Sequence, residues 1–260
     1  MGKILLFGTQ GQLGWELQRS LAPLGQVVGL DYPQIDLSKD QSVLPLVMDI
    51  KPDLIINAAA YTNVDKAEKE ADKARAINVL AVAEMARAAS KLGIGLIHYS
   101  TDYVFDGAKG SLYTETDDPH PLSVYGATKL DGEEAVIQEA KWYWIFRTSW
   151  VYSNRTGGFV NKVMEWAHSQ KVMRVVSDQV GNPTWCRMLA GATTCVLSMA
   201  KGDYNNWIRE TTGRYHLAGG GWTSRYEWAR AILELDPDRS KQVVEEILPA
   251  QTSDFPTPAQ

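Results

Sequence analysis

The sequence is short of several things, and each shortage closes off a class of function. Cysteine is nearly absent, with 2 in 260 residues. Cys186 and Cys195 fall on what reads as one helix at a spacing that sends them to opposite faces, so they cannot pair locally. A reducing cytoplasm is the compartment expected. The 4 histidines (His98, His120, His168 and His216) are scattered without ligand spacing, and no metal site is expected. Positive charge is in deficit: 26 Lys and Arg against 31 Asp and Glu leave a net charge of −5. With no basic stripe either, neither nucleic acid nor an anionic membrane is expected as a partner. No apolar run approaches the roughly eighteen residues that would span a bilayer. The opening MGKILLFG runs straight into glycines and a charged segment without a small-residue cleavage site, so it does not read as a signal peptide. Gly2 is not a myristoylation signal, because Leu6 stands where Ser or Thr is required. There are no internal repeats and no low-complexity stretches.

What is present is an alternation. Through the first 150 residues, short β-rich apolar runs are separated by helical patterns. The runs are KILLF (3–7), QVVGL (26–30), DLIINA (53–58), GLIHYS (95–100) and YWIFRTS (143–149); the helical patterns fall near 12–22, 40–50, 72–91 and 123–139. Strands apolar almost throughout are expected where both faces are covered, which predicts a parallel sheet with helices on either side. Beyond residue 150 the rhythm weakens, and Gly, Asn, Pro and Trp gather in loops such as SNRTGG and SDQVGNPTW. The fold class expected is therefore α/β: a Rossmann-type doubly wound parallel sheet over 1–150, with a smaller, mainly substrate-binding lobe over 151–260 that is free to return strands to the main sheet. That lobe is expected to hold helices near 158–169, 186–201 and 223–235 and strands near 172–176 and 214–217. The tail LPAQTSDFPTPAQ carries three Pro and no periodicity, which predicts an extended segment or a frayed end.

Directly after the first strand comes GTQGQLGWELQ, which puts Gly8, Gly11 and Gly14 at the turn into a helix opened by Gln12 and Leu13. Small residues there let the backbone approach a pyrophosphate, while free N–H groups and the helix dipole stabilise its charge. The spacing is G-x-x-G-x-x-G, the variant found in short-chain dehydrogenase-like folds. A glycine turn alone also fits any tight strand-to-helix corner. The second strand, however, ends on Asp31, about twenty residues on, where an acid binds the adenosine ribose hydroxyls. A carboxylate there repels a 2′-phosphate, whereas Arg19 nearby favours one, so the expected cofactor is NADH or NADPH. Asp36 and Leu37 are placed to contact an adenine ring. Ala58 to Ala60, after the third strand, would let a cofactor lie close over the strand ends, with Tyr61 and Thr62 following; read alone, the same alanines also suit a packing seam.

The fourth strand delivers Thr101 to the same edge, and VYGATKLDGEEA sets Tyr125 and Lys129 one helical turn apart on one face. A free tyrosine titrates near pH 10, roughly three units above neutrality. An ammonium close by favours the phenolate and can anchor a nicotinamide ribose, which makes Tyr125 the candidate proton donor and Lys129 its partner. Thr101 can hydrogen-bond the reacting oxygen. Each residue alone has a plain structural use, but glycine turn, acid and triplet occur in the right order along one α/β pattern.

ILLFGTQGQLGWELQRSLAP, NAAAYTNVDKAE, HYSTDYVFDG, PLSVYGATKLDGE, FRTSWVYS, DQVGNPT, YHLAGGG and PTPA together cover nearly the whole chain. In them the sequence resembles the extended branch of the short-chain dehydrogenase/reductase superfamily that acts on nucleotide sugars, and within it the dTDP-4-dehydrorhamnose reductases. The resemblance implies reduction of the C4 ketone of dTDP-4-dehydro-L-rhamnose to dTDP-L-rhamnose for polysaccharide synthesis. It implies that Asp102 and Trp150 contact the deoxysugar, that Thr62, Val64 and Tyr103 lie beside them, and that the loop from Asp178 to Thr184, with Gln179, embraces the nucleotide. The partners it implies are a dTDP-sugar and a second copy of the chain in a homodimer. Related 4,6-dehydratases carry Thr-Asp-Glu where this chain has Thr101-Asp102-Tyr103, and without the Glu the acid/base pair for eliminating water is missing. A 4-epimerase would carry a Ser-rich equivalent of STDYVF. The regulatory subunit of methionine adenosyltransferase, a binding protein, also resembles this family and can keep the Tyr and Lys. Family members usually continue past PTPA with an Arg-Pro-rich segment and a last helix. The chain ends at Gln260, which bears on closure of the substrate lobe and on any subunit contact made there.

Overall fold

The computed structural model describes residues 2–155 and 157–259. In chain order the elements are β1 (Gly2–Phe7), α1 (Gln12–Leu21), β2 (Gly25–Leu30), α2 (Val43–Ile50), β3 (Leu54–Asn57), α3 (Val64–Ala67), α4 (Ala71–Arg75), α5 (Ala81–Leu92), β4 (Gly95–Thr101), α6 (Val124–Glu139) and β5 (Tyr143–Thr148). There follow β6 (Val151–Tyr152), α7 (Phe159–Ala167), β7 (Val172–Val176), β8 (Val180–Gly181), β9 (Thr184–Trp185), α8 (Cys186–Ser198), α9 (Tyr204–Glu210), β10 (Gly213–His216), β11 (Thr223–Ser224), α10 (Arg225–Glu234) and β12 (Glu246–Ala250). The chain forms two compact units, Met1–Thr148 with Arg187–Leu217 and Pro258–Gln260, and Ser149–Cys186 with Ala218–Thr257.

The first unit is a six-stranded sheet in the order β10-β5-β4-β3-β1-β2, parallel at every pairing. Residues 187–217 belong to this unit because β10 lies alongside β5, from Gly213 opposite Trp144 to His216 opposite Arg147. The near-continuous apolar strands have the explanation their composition suggests. Ile4, Leu5, Leu6, Phe7, Leu54, Ile55 and Ile56 are all 0% exposed, and each such side chain stabilises the fold by roughly 1.5–3 kcal/mol on burial. The Ala-rich face of α5, with Val82, Met85, Ala86 and Ala89, packs against this layer with Val43 and Val47 of α2. The chain leaves β1 to one side for β2 and to the other for β3, so the strand order reverses there. A crevice at the carboxyl edge is expected at that reversal.

The helix expected as one run over 72–91 is three pieces. A turn of π-helix at Ala76–Leu80 separates α4 from α5. Such an insertion re-aims one side chain, commonly at a functional site; here that side chain is Asn78.

The second unit holds three two-stranded pairs: β12 with β7, β11 with β8, and β6 with β9. Val163 and Ala167 of α7, Met173 and Val175 of β7, and Ala229 and Leu233 of α10 form its core. Of the two expectations for the tail, an extended segment or a frayed end, its first residues take the extended one. β12 runs parallel to β7 from Glu246 opposite Val172 to Ala250 opposite Val176, and a 3-10 turn at Thr252–Asp254 follows it, closed by a capping box between Gln251 and Asp254. Pro249 is tolerated because the pair is an edge with an unused donor position. The sequence reading also lacked α9, whose N-cap Asp203 accepts from the Asn206 N–H.

Candidate active site

The glycine turn is a steric necessity. Gly8 has φ +84°, and a Cβ on it would sit 2.6 Å from the Ala59 nitrogen; a Cβ on Gly14 would lie 2.0 Å from the Gly8 carbonyl oxygen. The turn therefore presses directly on Ala58 and Ala59 after β3. Gly11 caps α1 in an extended conformation without a side-chain bond, and the first turn, with Gln12 and Leu13, points its N–H groups outward along the helix axis, the arrangement that holds a pyrophosphate. Beside it lies a cleft of ≈ 510 Å³ lined by Gly8, Asp31, Asp36, Leu37, Ala59, Ala60 and Lys73, among others. Its size and the stripped backbone suit a dinucleotide.

Two of the acids assigned to the cofactor already serve the protein. Asp31 accepts from the Gln10 N–H at 2.7 Å and from its neighbour Tyr32 at 2.8 Å, so it staples the glycine turn to the end of β2. Asp36 accepts from the Ser38 hydroxyl and N–H, and these bonds hold its carboxyl below the ordinary range. Both residues still line the cleft. Lys73, which no sequence motif singled out, supplies a cation to the same wall.

At the other end, β4 stops at Thr101, whose Oγ1 accepts from the Tyr103 N–H at 3.2 Å and donates to Asp102 at 3.0 Å. α6 starts under the Ser123 cap, which accepts from the Gly126 N–H at 3.1 Å. Gly126 matters because a Cβ there would meet the Tyr103 carbonyl oxygen at 2.2 Å. The missing side chain lets the helix start close onto the 3-10 turn at Asp102–Val104, leaving the Tyr103 and Tyr125 rings edge to face at 5.5 Å. Thr101 stands beside the Tyr125 phenol and favours its ionised form. Burial pushes the Tyr125 phenol well above its usual 10, Thr101 works against the rise, and Asp102 and Tyr103 add to it.

Lys129 lies one turn along α6, at 2% exposure. Its amine is aimed inward: it donates to the Tyr99 carbonyl at 2.7 Å and lies 3.3 Å from His98 Nε2. Burial draws it from 10.5 down to about 8, against the pull of Glu133. The spacing predicts that Lys129 lowers the Tyr125 pKa. In this geometry burial dominates the phenol and Thr101 is the group that opposes it.

Several residues the sequence reading passed over hold this arrangement. Asn78, in the π turn, accepts from the Tyr61 N–H at 2.9 Å and donates to the Tyr61 carbonyl and to Thr128 Oγ1. It ties the loop after β3 to the helix of Tyr125 and Lys129. Gly132 allows this, since a Cβ there would lie 2.2 Å from the Asn78 carbonyl oxygen. Glu133 is 0% exposed, accepts from the Ser100 hydroxyl, and forms a two-pronged pair with Arg147 at 2.7–3.2 Å. A polar residue inside an apolar helical run, such as Asn78 in AINVLAVAE, was the available signal.

Of the residues the resemblance implies as sugar contacts, Asp102, Tyr103, Thr62 and Val64 belong to the first unit, with Val64 opening α3 under its Asn63 cap. Trp150 and Gln179 belong to the second. There Trp150 is held at φ +41°, a costly backbone state for a bulky residue. Its ring stacks on Trp228 at 5.6 Å, lies 3.8 Å under the Arg225 guanidinium, and fills the space where Gly181 has no Cβ. Gln179 donates to Thr252 at 3.3 Å. Among the described residues no cluster of potential ligands forms a metal site, and no helix is long and apolar enough to cross a membrane. Both cysteines are free thiols.

Residues 2–260 match the model of the family described as the RmlD substrate binding domain. A dTDP-4-dehydrorhamnose reductase of Burkholderia thailandensis is 42% identical over 266 residues, covering 99% of this chain and 87% of that protein. Among solved structures, a dTDP-4-dehydrorhamnose reductase of Clostridium acetobutylicum matches with a TM-score of 0.88 at 35% identity, covering 99% of this chain and 87% of that one. The enzyme of the same name from Bacillus anthracis, in complex with NADP, matches with a TM-score of 0.86 at 33% identity over 100% of this chain and 87% of that one.

Proposed function

The chain belongs to the RmlD substrate binding domain family, and from that premise we propose that it is an NAD(P)H-dependent reductase converting dTDP-4-dehydro-L-rhamnose to dTDP-L-rhamnose. The observation that carries this reading is the buried Tyr125 phenol under the influence of Thr101, with Lys129 one turn further along the same helix. The glycine turn stands in the same unit. Gly8, Gly11, Gly14, Asp31 and Ala58 to Ala60 would hold the cofactor, which supplies the hydride to C4.

In this reading Tyr125 supplies the proton to the C4 oxygen. A phenol whose pKa is raised by burial stays protonated at neutral pH, and gives up its proton only as that oxygen becomes strongly basic. Thr101, beside the phenol, would turn its hydroxyl from Asp102 to the same oxygen. Lys129 supplies the positive charge that the departing proton leaves wanting, and is the proposed anchor for the cofactor ribose. Asp102, Tyr103, Thr62 and Val64 are the proposed sugar contacts in the first unit, with Trp150 and Gln179 those in the second. The net charge of −5 and the free thiols support a cytoplasmic enzyme; a homodimer, proposed from the resemblance, is tested by sedimentation.

The test is a coupled assay in which dTDP-4-dehydro-L-rhamnose is offered with NADH or with NADPH. Oxidation of reduced cofactor that depends on the sugar nucleotide is expected. Silence with both cofactors from a folded protein overturns the reading and favours a binding role.

A further inference from the structure

Lys129 is turned toward a buried pair that has no part in the chemistry described above. Asn57 ends β3, and His98 is its register partner on β4. The two are 1% and 0% exposed. The Asn57 amide has a fixed orientation because its oxygen accepts from the Ala59 N–H at 3.0 Å. The NH2 group is therefore the end that faces His98 Nδ1, at 3.1 Å. An amide NH2 only donates, so Nδ1 must be the bare acceptor nitrogen. A neutral imidazole with Nδ1 bare carries its proton on Nε2. His98 is neutral, since burial first and the Lys129 charge second hold its ring well below 6.5. The Nε2–H then points at the Lys129 amine, 3.3 Å away. An N–H can donate to the lone pair of a neutral amine but opposes an ammonium, which has only donors.

We propose that Asn57 and His98 are positioning residues that set the proton affinity of Lys129, Asn57 by fixing the histidine tautomer and His98 by aiming its Nε2–H at the amine. The proposal rests on the reading of Lys129 as the electrostatic partner of Tyr125. Burial already draws the amine down to about 8, and the consequence of the pair is that each proton Lys129 gains must also be taken against the His98 N–H. The other charged group acting on Lys129 along α6 is Glu133, tied to Arg147 of β5 and 3.8 Å from Arg214 of β10; Tyr125, one turn earlier on the helix, has Asp102 and Tyr103 beside it. The ion pairs that α4 and α5 make with this helix, Arg75–Asp131 and Arg87–Glu139, lie on its exposed side. Of all these, only the Asn57–His98 pair places a donor at the amine.

The experiment uses the full-length protein labelled with nitrogen-15 in histidine and carbon-13 at lysine Cε, with His98 assigned by its loss in His98→Gln and Lys129 by its loss in Lys129→Met. The wild type is expected to show a neutral His98 ring with the proton on Nε2. A proton on Nδ1 overturns the proposal, and this measurement needs no variant beyond those used for assignment. Asn57→Asp replaces the donor with an acceptor, which should move the proton to Nδ1 and let Nε2 accept from Lys129. The Lys129 Cε titration and the basic limb of the kcat/KM profile should then both move up by roughly 1–3 pH units. If the ring reverses while Lys129 titrates where it did, the proposal fails. Absence of turnover would count against the reductase reading alone, since the ring and Cε titrations are read without it.

Discussion

Replacing Lys129 with Met isolates the cost of burying an ammonium at the centre of the site. The lysine is 2% exposed, so solvent screening does little to dilute the effect. Its proton affinity falls from 10.5 to about 8 in the folded chain, chiefly through desolvation. One tenfold step in proton affinity corresponds to about 1.4 kcal/mol, which puts the full penalty at roughly 3 kcal/mol. The sign follows from proton counting. Between about pH 8 and pH 10.5 the unfolded chain binds more protons at this site than the native one, so stability rises with pH through that window. The penalty is fully present below it. Met is of similar length, titrates nowhere, and forfeits the bond to the Tyr99 carbonyl at every pH, so only the pH-dependent part separates the two proteins. Urea unfolding of wild type and Lys129→Met at about pH 7 and about pH 10 should show the stability difference moving toward the wild type by roughly 2 kcal/mol. Subtraction removes the titrations common to both. A difference that stays flat across that range refutes the depressed lysine, and with it the view that the fold keeps a destabilising group here for function.

Tyr125→Phe should bind NADPH with unchanged affinity while kcat falls by at least about 100-fold, in line with loss of a general acid; turnover within tenfold of wild type would sink the mechanism. Gly8→Ala forces a Cβ into a backbone state of φ +84° and to 2.6 Å from the Ala59 nitrogen. It should cost more than roughly 2 kcal/mol in urea unfolding and abolish NADPH binding by fluorescence titration, and a variant that binds normally contradicts the cradle. Glu133→Leu strands the Arg147 charge, whose Nη1 has no hydrogen-bond partner among the described residues, and should lose about 3–5 kcal/mol. The double variant Glu133→Leu/Arg147→Met should recover most of that loss, and equal losses in the two would show that the pair's charges are not what holds the site.

Much of the fold was legible because its signals are local. The five apolar runs of the first 150 residues are strands within one or two residues of where they were placed, because a strand covered on both faces must be apolar along its length. Gly8, Gly11 and Gly14 likewise announce a turn that no side chain permits. The misses are of another kind. Residues 248–250 read only as extended or frayed because Pro249 and the missing periodicity speak of the local chain, whereas their pairing comes from β7, more than seventy residues earlier. The π turn at Ala76–Leu80 is invisible in a run of good helix formers, since what fixes it is Asn78 reaching the backbone of Tyr61.

At the site, the sequence by itself determined the types of the chemical groups and their order: a glycine turn, an acid after the second strand, a threonine at the end of the fourth, and a tyrosine and lysine one turn apart. Helical and strand periods alone decide which of these share a face. Only the tertiary structure decided what each group touches. It set the Asp31 carboxylate to stapling the turn it follows, Thr101 against Tyr125, and the Lys129 amine toward Tyr99 and His98. The reason is that a proton's position depends on donors and acceptors met across the sheet. Asn57 and His98 are 41 residues apart and become neighbours only when β3 and β4 pair in register.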